Sequence, residues 1–136
     1  MNISKIRVLA LALSATFGSL SAMAQCPRFT IPFAFTLNDR PFAAGEYCVA
    51  EMRPHVLIIS SNDGRAGTIV IANAAEPGKA GSLATMTFNR YGDRYFLAKV
   101  TDYRSGSEFE KSASEKELIA GRASPKKLDV LASLRK

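Results

Sequence analysis

The chain has 136 residues, 47% of them hydrophobic, and carries 18 basic against 12 acidic side chains with one histidine and two cysteines. That length fits one domain with a core large enough to need no metal staple. One histidine leaves the usual zinc ligand sets unfilled, and the Cys-x21-Cys spacing matches no zinc or redox motif.

The N-terminus reads as a targeting segment. "MNISKIR" carries Lys5 and Arg7, "VLALALSA" (8–15) is apolar, and Ala22 and Ala24 form an A-x-A pattern before Gln25. This predicts a signal peptide over 1–24, cleaved after Ala24. The apolar run is short of the roughly 20 residues a membrane-spanning helix needs. A lipid anchor on Cys26 is the other possibility, and Gln25 stands where such signals place a small residue. Export implies a periplasmic or extracellular protein with no transmembrane segment after cleavage.

Charge is unevenly placed. Lys5 and Arg7 leave with the signal, taking the net charge from +6 to +4. Residues 25–119 hold eleven basic and eleven acidic side chains, so the remaining surplus sits in 120–136, in Arg122, Lys126, Lys127, Arg135 and Lys136 against Asp129. A basic tail is not a basic face, and no nucleic-acid partner is expected. In an exported chain, Cys26 and Cys48 predict a disulfide. In the chain-entropy model, closing that loop contributes about 3 kcal/mol.

The domain proper, 25–121, reads as β-rich. "RFTIPFAFTL" (28–37) alternates Phe29, Ile31, Phe33, Phe35 and Leu37 against Arg28, Thr30, Pro32, Ala34 and Thr36, a strand that Pro32 places at an edge or a bulge. "NDR" turns the chain and "EYCVAEM" (46–52) returns with Tyr47, Val49 and Ala50 inward. "HVLIISS" (55–61) and "GTIVIAN" (67–73) flank "NDGR", a strong hairpin signal. "AAEPGKAGS" (74–82) is a loop. "LATMTFNR" (83–90) and "RYFLAKVTDY" (94–103) flank "YGD", with Ala84, Met86 and Phe88 on one face, and Phe96, Ala98 and Val100 on one face of the second strand. "SASEKELIAG" predicts a helix over 113–120, with Ser114–Glu117 or Ser112–Glu115 as capping box and Gly121 as the stop. The basic segment 122–136 reads as a last strand over 127–134 with Leu128, Val130, Ala132 and Leu134 alternating, or else as a short helix. The fold class is therefore all-β: a six- or seven-stranded antiparallel meander closed as a small barrel or a sandwich, with one short C-terminal helix.

Little of this composition points to catalysis. His55 follows Pro54 at a strand start and reads as a packing or surface residue. "GRAG" lacks the strand–loop–helix context of a phosphate loop. No cofactor, metal site or catalytic residue is expected. The densest chemistry is "FNRYGDRYFL" (88–97), where Arg90, Tyr91, Arg94 and Tyr95 suggest a sheet-end patch gripping an anion or a sugar ring. A tight turn at Gly92 explains most of the same residues.

Four segments, "IPFAFTLNDRPFAAGEYCV", "VLIISSNDGRAGTIVIANAAE", "FNRYGDRYFLAKV" and "EFEKSASEKEL", together resemble a family of small exported bacterial β-rich proteins. Its pattern runs PF-x-F, AG-x-Y, S-x-DGR, F-x-RYGD-x-YFL and KS-x-x-E-x-EL. The resemblance implies a β-rich exported protein and assigns no catalytic residue. Cys48 stands where that pattern has threonine or another β-former, which marks the disulfide as local to this chain. The expected function is a non-enzymatic binding or interaction module of the cell envelope, with an envelope protein, a glycan or a small apolar ligand as partner. The alternatives are a small secreted enzyme using the sheet-end residues and a purely structural envelope protein.

Overall fold

The computed structural model describes residues 26–133, so the expected signal peptide, cleavage site and Leu134 lie outside the described residues. The chain is all-β with one short helix. The strands are β1 (Arg28–Ile31), β2 (Phe35–Leu37), β3 (Arg40–Phe42), β4 (Gly45–Arg53), β5 (Val56–Ser61), β6 (Gly67–Ile71), β7 (Asn73–Ala75), β8 (Thr85–Tyr91), β9 (Arg94–Thr101), β10 (Gly106–Glu108) and β11 (Lys126–Leu131), with α1 (Ala113–Ala120) before the last. They form two sheets, β1-β4-β5-β6 and β11-β8-β9-β10-β7, and the β2–β3 hairpin joins the second sheet through β9.

The inner faces share one core: Phe29, Ile31, Tyr47, Val49, Leu57, Ile59 and Val70 from the first sheet meet Phe35, Phe42, Met86, Phe88 and Leu97 from the second. Burying each such side chain contributes about 1.5–3 kcal/mol relative to exposure. The sheets do not close into a barrel. At one seam the chain runs from β6 into β7. At the other, the Ser133 N–H donates to the Arg28 carbonyl at 2.8 Å.

The described residues hold eleven strands where six or seven were expected, and the difference has local causes. The single strand expected over 28–37 is two strands in different sheets. Pro32 has no N–H to continue the ladder, and the chain crosses there, so β1 pairs β4 and β2 pairs β3. One pair, Thr36↔Phe96, is parallel, against the all-antiparallel expectation. Ala74 and Ala75, expected in a loop, pair with β10. Ala50 points outward, because only Tyr47 and Val49 lie on the buried side of β4.

A bulge changes the face pattern of β9. Thr87 pairs Lys99 while Phe88 pairs Leu97, leaving Ala98 as the extra residue. Leu97 therefore enters the core, whereas Phe96, expected there, is buried on the opposite face against Tyr91, with ring centroids 5.7 Å apart.

The turns obey residue chemistry. Asn38 and Asp39, with φ of 51° and 60°, make the two-residue β2–β3 loop that needs positive φ at both centres. Pro54 and His55 join β4 to β5, and His55 sits at φ 64°, the position a type II turn reserves for glycine. The helix spans the expected residues and is capped by Ser112, whose hydroxyl accepts the Glu115 N–H, in preference to the Ser114 frame. The C-terminal segment is the expected strand: β11 pairs β8 from Lys126↔Arg90 to Leu131↔Thr85. Cys26 and Cys48 form the expected disulfide, Cα atoms 5.7 Å apart, beside the Arg28↔Cys48 pair.

Candidate functional site

The four sheet-end residues are cross-strand neighbours, Arg90↔Tyr95 and Tyr91↔Arg94, across a turn where Gly92 has φ 61°. Directly opposed residues share a face, so the two pairs look in opposite directions. On the inner side, Tyr95 stacks on Phe33 with centroids 3.9 Å apart, and the Arg90 guanidinium lies 5.4 Å from the Tyr95 ring centre while its Nε–H donates to the Gly92 carbonyl at 2.8 Å. On the outer side, Tyr91 is buried and Arg94 covers Phe96 at 5.2 Å. The structure thus brings these residues together in two pairs and not in one patch.

Tyr91 belongs to a polar cluster beneath α1. Its hydroxyl donates to Glu115 Oε1 at 3.1 Å, and Asn89 Nδ2 donates to the same oxygen at 2.9 Å. Burial, and then the Glu115 carboxylate, push the Tyr91 phenol up to about 12. Asn89 and Glu115 are both buried. These contacts dock the helix on the outer face of β8. Sequence reasoning missed the cluster, although Glu115 at the third helical position was legible as a cap.

A cavity of about 250 Å³ opens between the sheets beside Cys26 and Pro27. Its apolar lining comes from Val49, Leu57, Ala84 and Val100, and its rim from Glu51, Asp102 and Ser105. The Ser105 hydroxyl reaches Glu51 Oε2 at 3.4 Å, while Asp102 Oδ1 accepts the Arg104 and Ser105 amides at 2.7 and 2.8 Å. The volume lies below the roughly 300–1,000 Å³ of drug-sized sites.

The most distinctive surface is the outer face of the first sheet. Ile58 pairs Ile69 and Val56 pairs Ile71, and Ala50 extends the first row across β4. Ile69 is 61% exposed and Ile71 78%, and Met52 on β4 is also exposed. Both isoleucines sit on β6, an edge of its sheet. Water-facing β-branched residues on a sheet edge are what natural proteins suppress with lysine, proline or a covering element. The sequence shows "TIVI" as a strand but not which side of it lies bare.

His55 is a turn residue. Its carbonyl accepts the Ala72 N–H at 2.8 Å, and its Nδ1 is buried without a hydrogen-bond partner. Among the described residues no three of His, Cys, Asp and Glu are grouped to hold a metal ion, and no helix is long and apolar enough to cross a membrane. No family model, curated protein or solved structure matches the chain.

Proposed function

We propose that the protein is an exported interaction module of the cell envelope, periplasmic or extracellular, that works by binding and not by catalysis. The observation that carries this reading is the exposed apolar stripe of Ile69 and Ile71 on edge strand β6, continued by Ile58 and Val56 on β5. Exposed apolar patches rimmed by polar residues mark interaction surfaces in soluble proteins. The division of Arg90, Tyr91, Arg94 and Tyr95 between two faces favours binding over a sheet-end catalyst. The Cys26–Cys48 disulfide fits an oxidising compartment.

Site-specific photo-crosslinking in the native envelope tests the proposal. A photoreactive phenylalanine at position 71 should yield a discrete crosslinked partner, while the same probe at exposed Ile119 on α1 should not. Crosslinking no stronger at 71 than at 119 overturns the reading.

The cavity beside Cys26 favours a second reading, a small apolar ligand held between Val49, Leu57, Ala84 and Val100. Native mass spectrometry of protein purified from its own host should then show one bound small molecule, lost when Ala84 is changed to Leu.

A further inference from the structure

The β5–β6 ladder shows which backbone groups of β6 face away from β5. The Ser61 N–H donates to the Ala66 carbonyl, and the Ala72 N–H to the His55 carbonyl, each at 2.8 Å. These bonds bracket the pairs Ile59↔Thr68 and Leu57↔Val70. Hydrogen-bonded pairs alternate in an antiparallel ladder, so residues 66, 68, 70 and 72 aim their amides and carbonyls at β5. Gly67, Ile69 and Ile71 aim theirs the other way, and β6 has no strand partner on that side.

The tip of the β2–β3 hairpin comes near that edge, Asn38 sharing a cleft with Ile69 and Ile71, and β3 pairs only β2. Two clefts adjoin β6. One cleft, about 460 Å³, is lined by Asn38, Ile69, Ile71, Asn73 and Glu110. The other, about 520 Å³, runs past Phe42, Glu46, Asp63 and Arg65. The clefts therefore flank an unpaired strand, with apolar side chains and charges in their linings.

The charges select the occupant. Glu46, Asp63 and Glu110 stand against Arg65. Glu46 also meets Arg28 at 3.7 Å, which still leaves Asp63 and Glu110 against Arg65. Asp63 keeps its charge, because the Ser61 hydroxyl and the Arg65 amide hold its carboxyl below the usual range. A second copy's β6 carries no charged residue between Gly67 and Ile71 to meet these carboxylates.

We propose that the seam between β6 and the β2–β3 hairpin accepts an extended, lysine- or arginine-flanked peptide segment of a partner protein as an added β-strand, hydrogen-bonded to Gly67, Ile69 and Ile71. This deepens the interaction-module reading and rests on it. Strand addition draws affinity from main-chain bonds and specificity from alternate side chains and flanking charge.

The test uses the mature protein and two synthetic peptides of alternating Val and Thr, one with two lysines at each end and one with two glutamates. The lysine peptide should slow amide exchange at Gly67, Ile69 and Ile71 at least tenfold and leave Val70 unchanged. The glutamate peptide should not. Ile69→Pro removes an edge amide without removing a β5 bond, and should weaken the lysine peptide at least tenfold. Ile69→Thr keeps the amide and should retain binding within about threefold of wild type.

Equal binding of both peptides, binding that survives Ile69→Pro in a protein melting normally, or dimerisation through the same amides overturns the proposal. Should Ile69→Pro fail to fold, Gly67→Pro repeats the test one register position away. If a partner crosslinks to position 71 yet neither peptide protects the edge, face-on docking stands and strand addition falls. If position 71 crosslinks nothing, the underlying reading falls with it.

Discussion

The carboxylate of Asp39, at the tip of the β2–β3 hairpin, accepts the backbone N–H of Ser114, 75 positions later, at 3.2 Å. The Ala113 N–H reaches the other carboxylate oxygen at 3.2 Å, and the Ser114 hydroxyl adds a third bond. The first amides of a helix have no partner within it, and here a distant turn supplies one. Asp39 does so from a backbone at φ 60°, which aspartate and asparagine tolerate better than most residues.

This contact predicts an acid-sensitive joint. The Ser114 side-chain bond, and then the backbone bonds, lower the Asp39 carboxyl from its usual 3.8. A lowered folded-state value means that the contribution is present above the unfolded value and is lost as pH falls through the folded one. Asp39→Asn keeps the turn geometry and removes the charge. It should lower the melting temperature at pH 7, and that deficit should narrow as pH falls below 3.8. A deficit that does not change with pH counts against the joint.

Alkaline conditions probe the other side of the helix. Tyr91 is pushed up to about 12 by burial and by Glu115, from 10.0. A raised folded-state value stabilises fully below the unfolded one and fades as pH rises through the folded one. In an ultraviolet titration, Tyr91→Phe should remove an ionisation step near pH 12. Glu115→Gln should bring Tyr91 downward, though not fully, since burial remains. A Tyr91→Phe variant that loses no step near pH 12 would show that α1 does not cover this ring.

Two glycines should respond differently to one added methyl group. Gly92 has φ 61° and open space around a would-be Cβ, so its cost is conformational. Gly92→Ala should cost about 1–2 kcal/mol, and Gly92→Asn less. At Gly106 a Cβ would lie 2.8 Å from the Ala75 carbonyl oxygen and closer still to that of Glu76. Gly106→Ala should therefore prise β10 from β7 and cost about 1–3 kcal/mol or more. Urea melts of the variants should give that order, and Gly106→Ala matching wild type would mean that the β7–β10 pairing is not formed.

Arg122 offers a gain. The Ala123 N–H bonds the Leu118 carbonyl and the Arg122 N–H that of Ile119, a Schellman closure with Arg122 at its left-handed position, φ 65°. The glycine that usually fills that position stands one residue early, at Gly121, with φ −78°. Arg122→Gly should stabilise by about 0.5–1 kcal/mol in a thermal melt. A loss would mean that the arginine side chain holds a contact outweighing the backbone relief.

Period-two alternation made most strands legible, and "NDGR", "YGD" and "SASEKEL" located two hairpins and the helix to within a residue or two. Partner choice was not legible. Pro32 marked an edge or a bulge in one strand over 28–37 but not that its halves join different sheets, because that depends on chain tens of residues away. The bulge at Ala98 is likewise set across strands, and it sent Phe96 to the face opposite the one alternation predicts. At the sheet end, Arg90, Tyr91, Arg94 and Tyr95 were adjacent in sequence, yet the pleat separates them. The bare edge at Ile69 and Ile71 was hidden for the same reason, since a strand carries no mark of which side will be left unpaired.

The hydrogen bond from Ser133 to Arg28 sets an order of events in time. The first strand of the domain meets the residues just beyond β11, so this seam cannot form before Ser133 has been made. Cys26 and Cys48 can be joined long before, since both lie in the first quarter of the domain. Early covalent closure of the β1–β4 hairpin would hold Phe29 and Tyr47 together while Met86 and Phe88 are still to arrive. Such dependence on distant pairings slows folding. A chain ending at residue 125 should therefore keep its disulfide yet show no cooperative thermal transition, and a sharp transition in that fragment would mean that β11 only decorates a finished fold.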